Sequence, residues 1–215
     1  MESPLCPPAE PDFRLIETLA FRPKEGFIRR DRHLARMSRS AATLRIPFDK
    51  VSAVEALSKA EGENALRCRL TLDTKGNFHL TTGALAGNPC FWQQAISKER
   101  LNASDFWLRH KTTRRHIYDA ARASLPSGVD EMLFLNERGE LCEGTISNLF
   151  LETPDGCLLT PTDASGVLPG ILREELIDTG QARPATLRLS DLQKAKNVYA
   201  GNSLRGLIRA ELVTT

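Results

Sequence analysis

Glu143-Gly144-Thr145-Ile146-Ser147-Asn148-Leu149-Phe150 sets a lone carboxylate before a glycine, then a short polar turn, then an apolar run. This pattern reads as strand, tight turn, strand, with strands at 140–142 and 146–151. Upstream, residues 131–135 form another strand, and Asn136–Gly139 is its turn. Downstream, a turn at Thr153–Gly156 leads to a strand at Cys157–Thr160. A Gly/Pro-rich loop then ends in Leu168-Pro169-Gly170. A helix is expected from Ile171 to Thr179, stopped by Gly180. Residues 185–188 and 197–200 read as strands around a short helix at 190–195. The chain closes with Gly201-Asn202-Ser203 and a final helix or strand.

Ahead of this region the pattern changes. Residues 1–11 carry four prolines and read as an extended lead-in. Leu15, Ile16 and Leu19 mark a strand that turns near Pro23–Gly26. Leu34, Met37, Ala41 and Leu44 recur at spacings of three and four, the stripe of a helix with Asp31 as its N-cap and Pro47 ending it. A second helix covers 49–61. Residues 66–73 alternate strictly, and a turn at Asp73–Asn77 completes a hairpin with Phe78-His79-Leu80. After the loop at 83–92, a strand at 93–97, a polar stretch and a helix at 113–124 lead back to the opening segment. Strands and helices in these runs predict an α+β fold of two lobes. A small N-terminal lobe spans 1–83 and a larger C-terminal lobe spans 84–215.

Composition removes several classes of function. The 215 residues are 41% hydrophobic, enough for a real core. Lys plus Arg is 29 and Asp plus Glu is 27, a net charge of +2, and no aromatic-basic motif accompanies it, so no nucleic-acid partner is expected. No apolar run reaches membrane-spanning length, and the N-terminus has no secretory pattern. The five cysteines are odd in number and include no C-x-x-C pair, so neither a disulfide framework nor a metal site is expected. A cytoplasmic location fits this.

Several residues have chemistry to offer. Lys111 lies among Arg109, His110, Arg114 and Arg115, and like charges nearby push a lysine pKa down toward a nucleophilic amine. Glu143, held at a strand end, can pair with a pyridinium nitrogen. Asn148 closes the same turn. At Pro169-Gly170-Ile171-Leu172 a helix starts, and its free backbone N–H groups can hold a phosphate. Asn202-Ser203 is a similar small polar loop. Arg36, beside the apolar stripe of its helix, has the fork geometry for a phosphate.

Taken in order, these blocks resemble the class IV, fold-type IV, pyridoxal-phosphate enzymes, which include branched-chain and D-amino-acid aminotransferases and aminodeoxychorismate lyases. His33-Leu34-Ala35-Arg36-Met37 resembles the family's His-x-x-Arg-Leu, whose arginine grips the cofactor phosphate. Lys111 matches the lysine that attaches the cofactor as a Schiff base. Glu143-x-x-x-x-Asn148-Leu149-Phe150 matches Glu-x-x-x-x-Asn-Leu-Phe, whose glutamate holds the pyridine nitrogen. Leu168-Pro169-Gly170-Ile171-Leu172-Arg173 resembles the phosphate loop Leu-x-Gly-Ile-Thr-Arg. The resemblance covers roughly residues 12 to 210. It implies pyridoxal 5′-phosphate as cofactor, Lys111 as the catalytic residue, and Arg36, Lys111, Glu143, Asn148, Ile171, Leu172, Asn202 and Ser203 as its binding set.

Within the family, Arg32–Arg36, His110–Arg115, Asn202–Gly206 and the opening Leu15–Leu19 look like the lyase domain of bifunctional aminodeoxychorismate synthase/lyase chains. That implies conversion of 4-amino-4-deoxychorismate to 4-aminobenzoate and pyruvate, a folate-precursor step. Arg114, Arg115 and Arg205 would receive the substrate's two carboxylates, and a homodimer is expected. The alternatives are an aminotransferase acting on branched-chain or D-amino acids, and a cofactor binder without turnover. There are departures from the family pattern. The usual first strand pair ahead of Glu17-Thr18 is missing, and the C-terminus is shorter than in the aminotransferases. Leu172 replaces the phosphate-loop threonine, and His116 stands where the branched-chain enzymes place a tyrosine. Met37 for leucine conserves volume.

Overall fold

The computed structural model of the chain describes residues 13–213, so the proline-rich lead-in lies outside the described residues. Two compact units are present. One takes the described residues up to Ala86 together with His110–Arg114; the other takes Gly87–Arg109 and the chain from Arg115 onward.

The first unit contains β1 (Leu15–Arg22), β2 (Gly26–Phe27), α1 (Arg30–Thr43), α2 (Lys50–Ser58), β3 (Leu66–Leu72) and β4 (Phe78–Ala84). Its antiparallel sheet has the order β2-β1-β3-β4. On β3, Cys68, Leu70 and Leu72 are buried while Arg67 and Arg69 stay exposed, the alternation that a one-sided sheet imposes. The stripe Leu34, Met37 and Ala41 of α1 is buried, and the helix packs on β1. Asp31 is not the N-cap of α1. That position belongs to Arg29, which has a left-handed backbone (φ 56°), and Asp31 lies in the first turn, where a negative charge suits the helix dipole. Asp49 caps α2 by accepting from Ser52 N at 2.7 Å.

His110–Arg114 belongs to this unit through backbone pairing. Ile16 N donates to Lys111 O at 2.8 Å, Thr113 N donates to Arg14 O at 2.9 Å, and Leu15 bridges Thr112. Lys111 falls in the stretch that composition assigns to the larger lobe, yet it is fastened to the edge of β1.

The second unit contains β5 (Phe91–Leu101), α3 (His116–Ala123), β6 (Glu131–Asn136), β7 (Leu141–Gly144), β8 (Asn148–Glu152), β9 (Leu158–Pro161), α4 (Ile171–Asp178), β10 (Ala182–Ala185), α5 (Leu189–Lys194), β11 (Asn197–Asn202) and β12 (Gly206–Leu212). The strand order is β10-β9-β8-β11-β12-β5-β6-β7, and a further pairing of β7 with β8 closes six strands, β8-β11-β12-β5-β6-β7, into a ring. Closure removes exposed edges. The two sides of β6 feed different cores. Leu133 and Leu135 join Leu141, Leu149 and Leu151, whereas Phe134 joins Leu101, Leu108, Cys142 and Val167 under α3. The strand expected at 185–188 runs instead over 182–185. It is an edge strand, where Pro184 costs no ladder hydrogen bond. The closing segment is a strand, not a helix.

Candidate active site

Each unit carries its own share of the expected residues. In the first, β1 turns Glu17 inward between Ile16 and Leu19, and the carboxylate is only 1% exposed. Across from it, α1 buries His33 and Arg36 one turn apart. Arg36 Nε donates to Glu17 Oε1 at 2.9 Å and Nη2 to Oε2 at 2.7 Å, a two-pronged pair. His33 Nδ1 meets the same Oε2 at 2.6 Å. Burial alone would raise the pKa of Glu17, but the charges and hydrogen bonds of Arg36 and His33 outweigh it and bring the pKa down to about 2. Burial, and then the charges of Arg36 and Lys111, pull the His33 pKa below its ordinary value despite Glu17. The ring is therefore neutral near pH 7. An ionised carboxylate only accepts, so Nδ1 carries the proton. One residue before Lys111, His110 Nδ1 lies 2.9 Å from Ser40 Oγ.

In the second unit, Glu143 is the next-to-last residue of β7 and Asn148 begins β8, and the two are partners in register at the closing pair of the ring. Glu143 is 5% exposed. Its Oε1 accepts from Tyr118 Oη at 2.7 Å; its Oε2 accepts from Asn148 Nδ2 at 3.2 Å and Leu168 N at 3.1 Å. Asn148 Nδ2 also donates to Leu168 O at 3.1 Å, which ties the loop before α4 to the turn. The turn itself wraps a fully buried carboxylate, Glu131. It accepts from Thr145 N (2.8 Å), Thr145 Oγ1, Ile146 N (3.2 Å) and Ser147 Oγ (2.8 Å). Gly144 is required here, because a Cβ would lie 2.7 Å from that carboxylate.

The expected phosphate end is an N-terminus without a side-chain cap. Gly170 is the N-cap of α4 and makes no side-chain cap hydrogen bond, so the first-turn N–H groups of Ile171 and Leu172 have the character of an anion site. The Leu172 side chain is buried with Phe150, Leu176 and Ala182, which leaves only its backbone for a ligand. Arg173 anchors the helix start through Pro161 O (2.8 Å) and Asp163 Oδ1 (2.8 Å). Asn202 shapes its own turn: Oδ1 accepts from Leu204 N and Arg205 N, and Nδ2 donates to Ile146 O at 3.2 Å. Ser203 follows it, half-buried.

All three expected substrate arginines are engaged by the protein. Arg115 donates to Asp119 Oδ1 and Thr145 O, both at 2.8 Å, and Arg205 to Gly87 O at 3.1 Å. Arg114 follows Thr112, whose Oγ1 accepts its N–H at 3.1 Å. His116 is exposed at the start of α3. Tyr118 and Glu131, which sequence reasoning did not single out, hold Glu143 and the turn that follows it. The signal for Tyr118 was slight: it is a hydroxyl within the apolar group that α3 contributes with Ile117 and Ala121.

The class IV amino-transferase family model matches residues 14–213. The chain is a class IV aminotransferase-family protein. Its cofactor is pyridoxal 5′-phosphate, and the donors within the second unit suit that group: a buried carboxylate with donors on both oxygens at Glu143, and a helix start without a side-chain cap at Ile171. A Mesorhizobium loti protein described as an amino-acid aminotransferase is 43% identical, with a TM-score of 0.91 over 94% of this chain and 100% of that one. The aminodeoxychorismate lyase of Saccharomyces cerevisiae is 28% identical over 173 residues, 71% of this chain and 46% of the yeast protein. The chain thus spans less than half of that curated relative. A hypothetical aminotransferase from Mycobacterium tuberculosis, solved in its PLP-bound form, shares the fold at 19% identity and a TM-score of 0.80, over 98% of this chain and 87% of that one. Among the described residues no cluster of three or more His, Cys, Asp or Glu could hold a metal, and no helix is long and apolar enough to cross a membrane.

Proposed function

We propose that the chain is a pyridoxal-phosphate lyase that converts 4-amino-4-deoxychorismate to 4-aminobenzoate and pyruvate. The observation that carries this reading is the match over 173 residues to an aminodeoxychorismate lyase. The lyase-like blocks at His110–Arg115 and Asn202–Gly206 support it. Formation of 4-aminobenzoate would place it in folate-precursor synthesis. A cytoplasmic homodimer belongs to the same proposal.

Bound pyridoxal phosphate supplies an electron sink for the carbon that bears the substrate nitrogen. Lys111 is the attaching amine. With its amine free of the cofactor, Lys111 would act as the general base for the proton on that ring carbon. Glu143 holds a proton at the pyridine nitrogen, with Asn148 keeping the carboxylate in place. Arg36 and the N–H groups of Ile171 and Leu172, with Asn202 and Ser203, bind the phosphate. Glu17 aims the Arg36 guanidinium. Arg114, Arg115 and Arg205 are the proposed receivers of the two substrate carboxylates. Cleavage of the ring–oxygen bond releases the enolpyruvyl group, which takes up a proton to become pyruvate, and the ring becomes aromatic.

Incubation of the cofactor-loaded protein with aminodeoxychorismate, without any 2-oxo acid, should release 4-aminobenzoate and pyruvate in equal amounts. Lys111→Ala should abolish this and lose borohydride-fixed cofactor on the peptide that carries residue 111. The second reading is an aminotransferase for branched-chain or D-amino acids, favoured by the 43% identity to an amino-acid aminotransferase. Turnover only with an amino donor and an added 2-oxo acid would put it in place of the lyase.

A further inference from the structure

We propose that Tyr118 is a positioning residue for Glu143: its hydroxyl fixes the carboxylate so that the proton it shares with the cofactor stays on the ring nitrogen. This rests on the proposed role of Glu143. The geometry lies within one unit. Tyr118 Oη meets Glu143 Oε1 at 2.7 Å, while the donors from Asn148 and Leu168 both reach Oε2. Donors on opposite oxygens fix the plane of a carboxylate, which one donor alone leaves free to turn.

The phenol is held as firmly as the acid. Its ring meets Phe134 edge-on, with centroids 5.3 Å apart and an interplanar angle of 75°. Arg115 lies over the ring at 5.7 Å and is itself held by Asp119 and Thr145 O. Around it, α3 packs on Leu101, Leu108, Cys142 and Val167. Burial, and then the neighbouring Glu143 charge, push the Tyr118 pKa well above its ordinary value. Tyr118 therefore stays a neutral phenol through the working range of pH, and toward a carboxylate a phenol can only donate.

The consequence follows from the direction of donation. Hydrogen bonds given to a carboxylate favour its charged form and make it a weaker base. A weaker base opposite a pyridine nitrogen leaves the shared proton on nitrogen, where it strengthens the electron sink. Without the Tyr118 hydroxyl, Glu143 becomes more basic and draws that proton toward itself. One hydrogen bond to a charged group is worth about tenfold in such a balance, or about one pH unit.

The test loads the protein with pyridoxal phosphate labelled with nitrogen-15 in the ring. It follows the ring-nitrogen resonance and the visible band against pH in the native chain, Tyr118→Phe and Glu143→Gln. Glu143→Gln should move the resonance toward unprotonated pyridine. Tyr118→Phe should move it the same way by a smaller step and displace the pH midpoint by about one pH unit. A purely structural tyrosine would change melting temperature and cofactor affinity but not the resonance. If Glu143→Gln moves the resonance and Tyr118→Phe does not, the Tyr118 role is overturned and the Glu143 role stands. If neither moves it, both fall, and the fault lies with Glu143. Should the phenylalanine variant not fold, 3-fluorotyrosine at position 118 keeps the ring and makes the hydroxyl a stronger donor. The midpoint should then move opposite to the phenylalanine direction, and an unchanged midpoint overturns the proposal.

Discussion

Gly170 and Asn148 leave no room for a methyl group between them: a Cβ on Gly170 would lie 1.8 Å from Asn148 Oδ1. The backbone at Gly170 is extended (φ −71°, ψ 142°), so alanine is refused by contact and not by conformation. The same amide bonds Glu143 and Leu168 O, so any side chain at 170 has to displace the residue that joins the carboxylate to the start of α4.

Gly170→Ala should therefore lower stability by about 1–3 kcal/mol, the usual cost of overpacking. It should also weaken cofactor binding by at least about tenfold, the scale of one lost hydrogen bond to a charged group. Thermal melts and equilibrium dialysis with pyridoxal phosphate measure the two separately. An unchanged affinity would show that the Asn148 amide does not matter to the cofactor.

Glu17 gives the protein an acid-sensitive joint. Its pKa is about 2 in the folded chain against 4.5 for the free group. A carboxylate with a depressed pKa adds stability above its unfolded pKa and loses it as pH falls through the folded value. The window for Glu17 therefore runs from about 4.5 down to about 2. His33, whose folded pKa is also depressed, loses its contribution in the same direction, beginning below 6.5. Denaturant melts should show the native chain losing roughly 3 kcal/mol across the lower window, since a tenfold change in proton affinity corresponds to about 1.4 kcal/mol. Glu17→Gln should flatten that slope. At pH 7 it should also cost about 3–5 kcal/mol, because Arg36 stays buried without its counter-charge. An equal slope in both proteins would remove Glu17 as its source.

How far the site could be read from sequence depends on whether a residue acts through its type or through its neighbours. Lys111, Glu143 and Asn148 stand in spaced motifs, and the structure pairs Glu143 with Asn148 across one turn. The helix start at Ile171 was legible from Pro169-Gly170, and α4 begins at that residue. Glu17 could be quoted in the opening strand but not given a partner, because the alternation of β1 does not say which helix covers it. Glu131 opens an apolar strand, and nothing local marks it as the acceptor for a turn more than ten residues later. Arg115 and Arg205 read as free cations in sequence, yet each is held by backbone oxygens that the fold brings from elsewhere.

Glu131→Gln tests the buried carboxylate under the turn. Four donors converge on it from Thr145, Ile146 and Ser147. An amide offers one oxygen and turns its NH2 toward donors, so at least two of them lose their acceptor. Each buried donor left unsatisfied costs about 1–3 kcal/mol. The variant should lose about 2–5 kcal/mol in denaturant unfolding, and amide exchange at residues 145–147 should speed up before the rest of β7 and β8. Protection unchanged at those amides would mean that the turn holds itself.

Leu172→Thr tests where the phosphate binds, because it changes stability and affinity by different routes. The leucine side chain is 4% exposed and packs with Phe150, Leu176 and Ala182. Replacing it with a smaller, half-polar side chain removes apolar contacts and should cost the unliganded protein about 2–3 kcal/mol. At the same time a hydroxyl appears in the first turn of α4, beside N–H groups that carry no side-chain cap. If the cofactor phosphate sits at that helix start, the hydroxyl adds a charge-assisted hydrogen bond, and affinity should rise by up to about tenfold. The variant should thus melt earlier without ligand and bind pyridoxal phosphate more tightly. A lower melting temperature with unchanged affinity would separate the phosphate from α4.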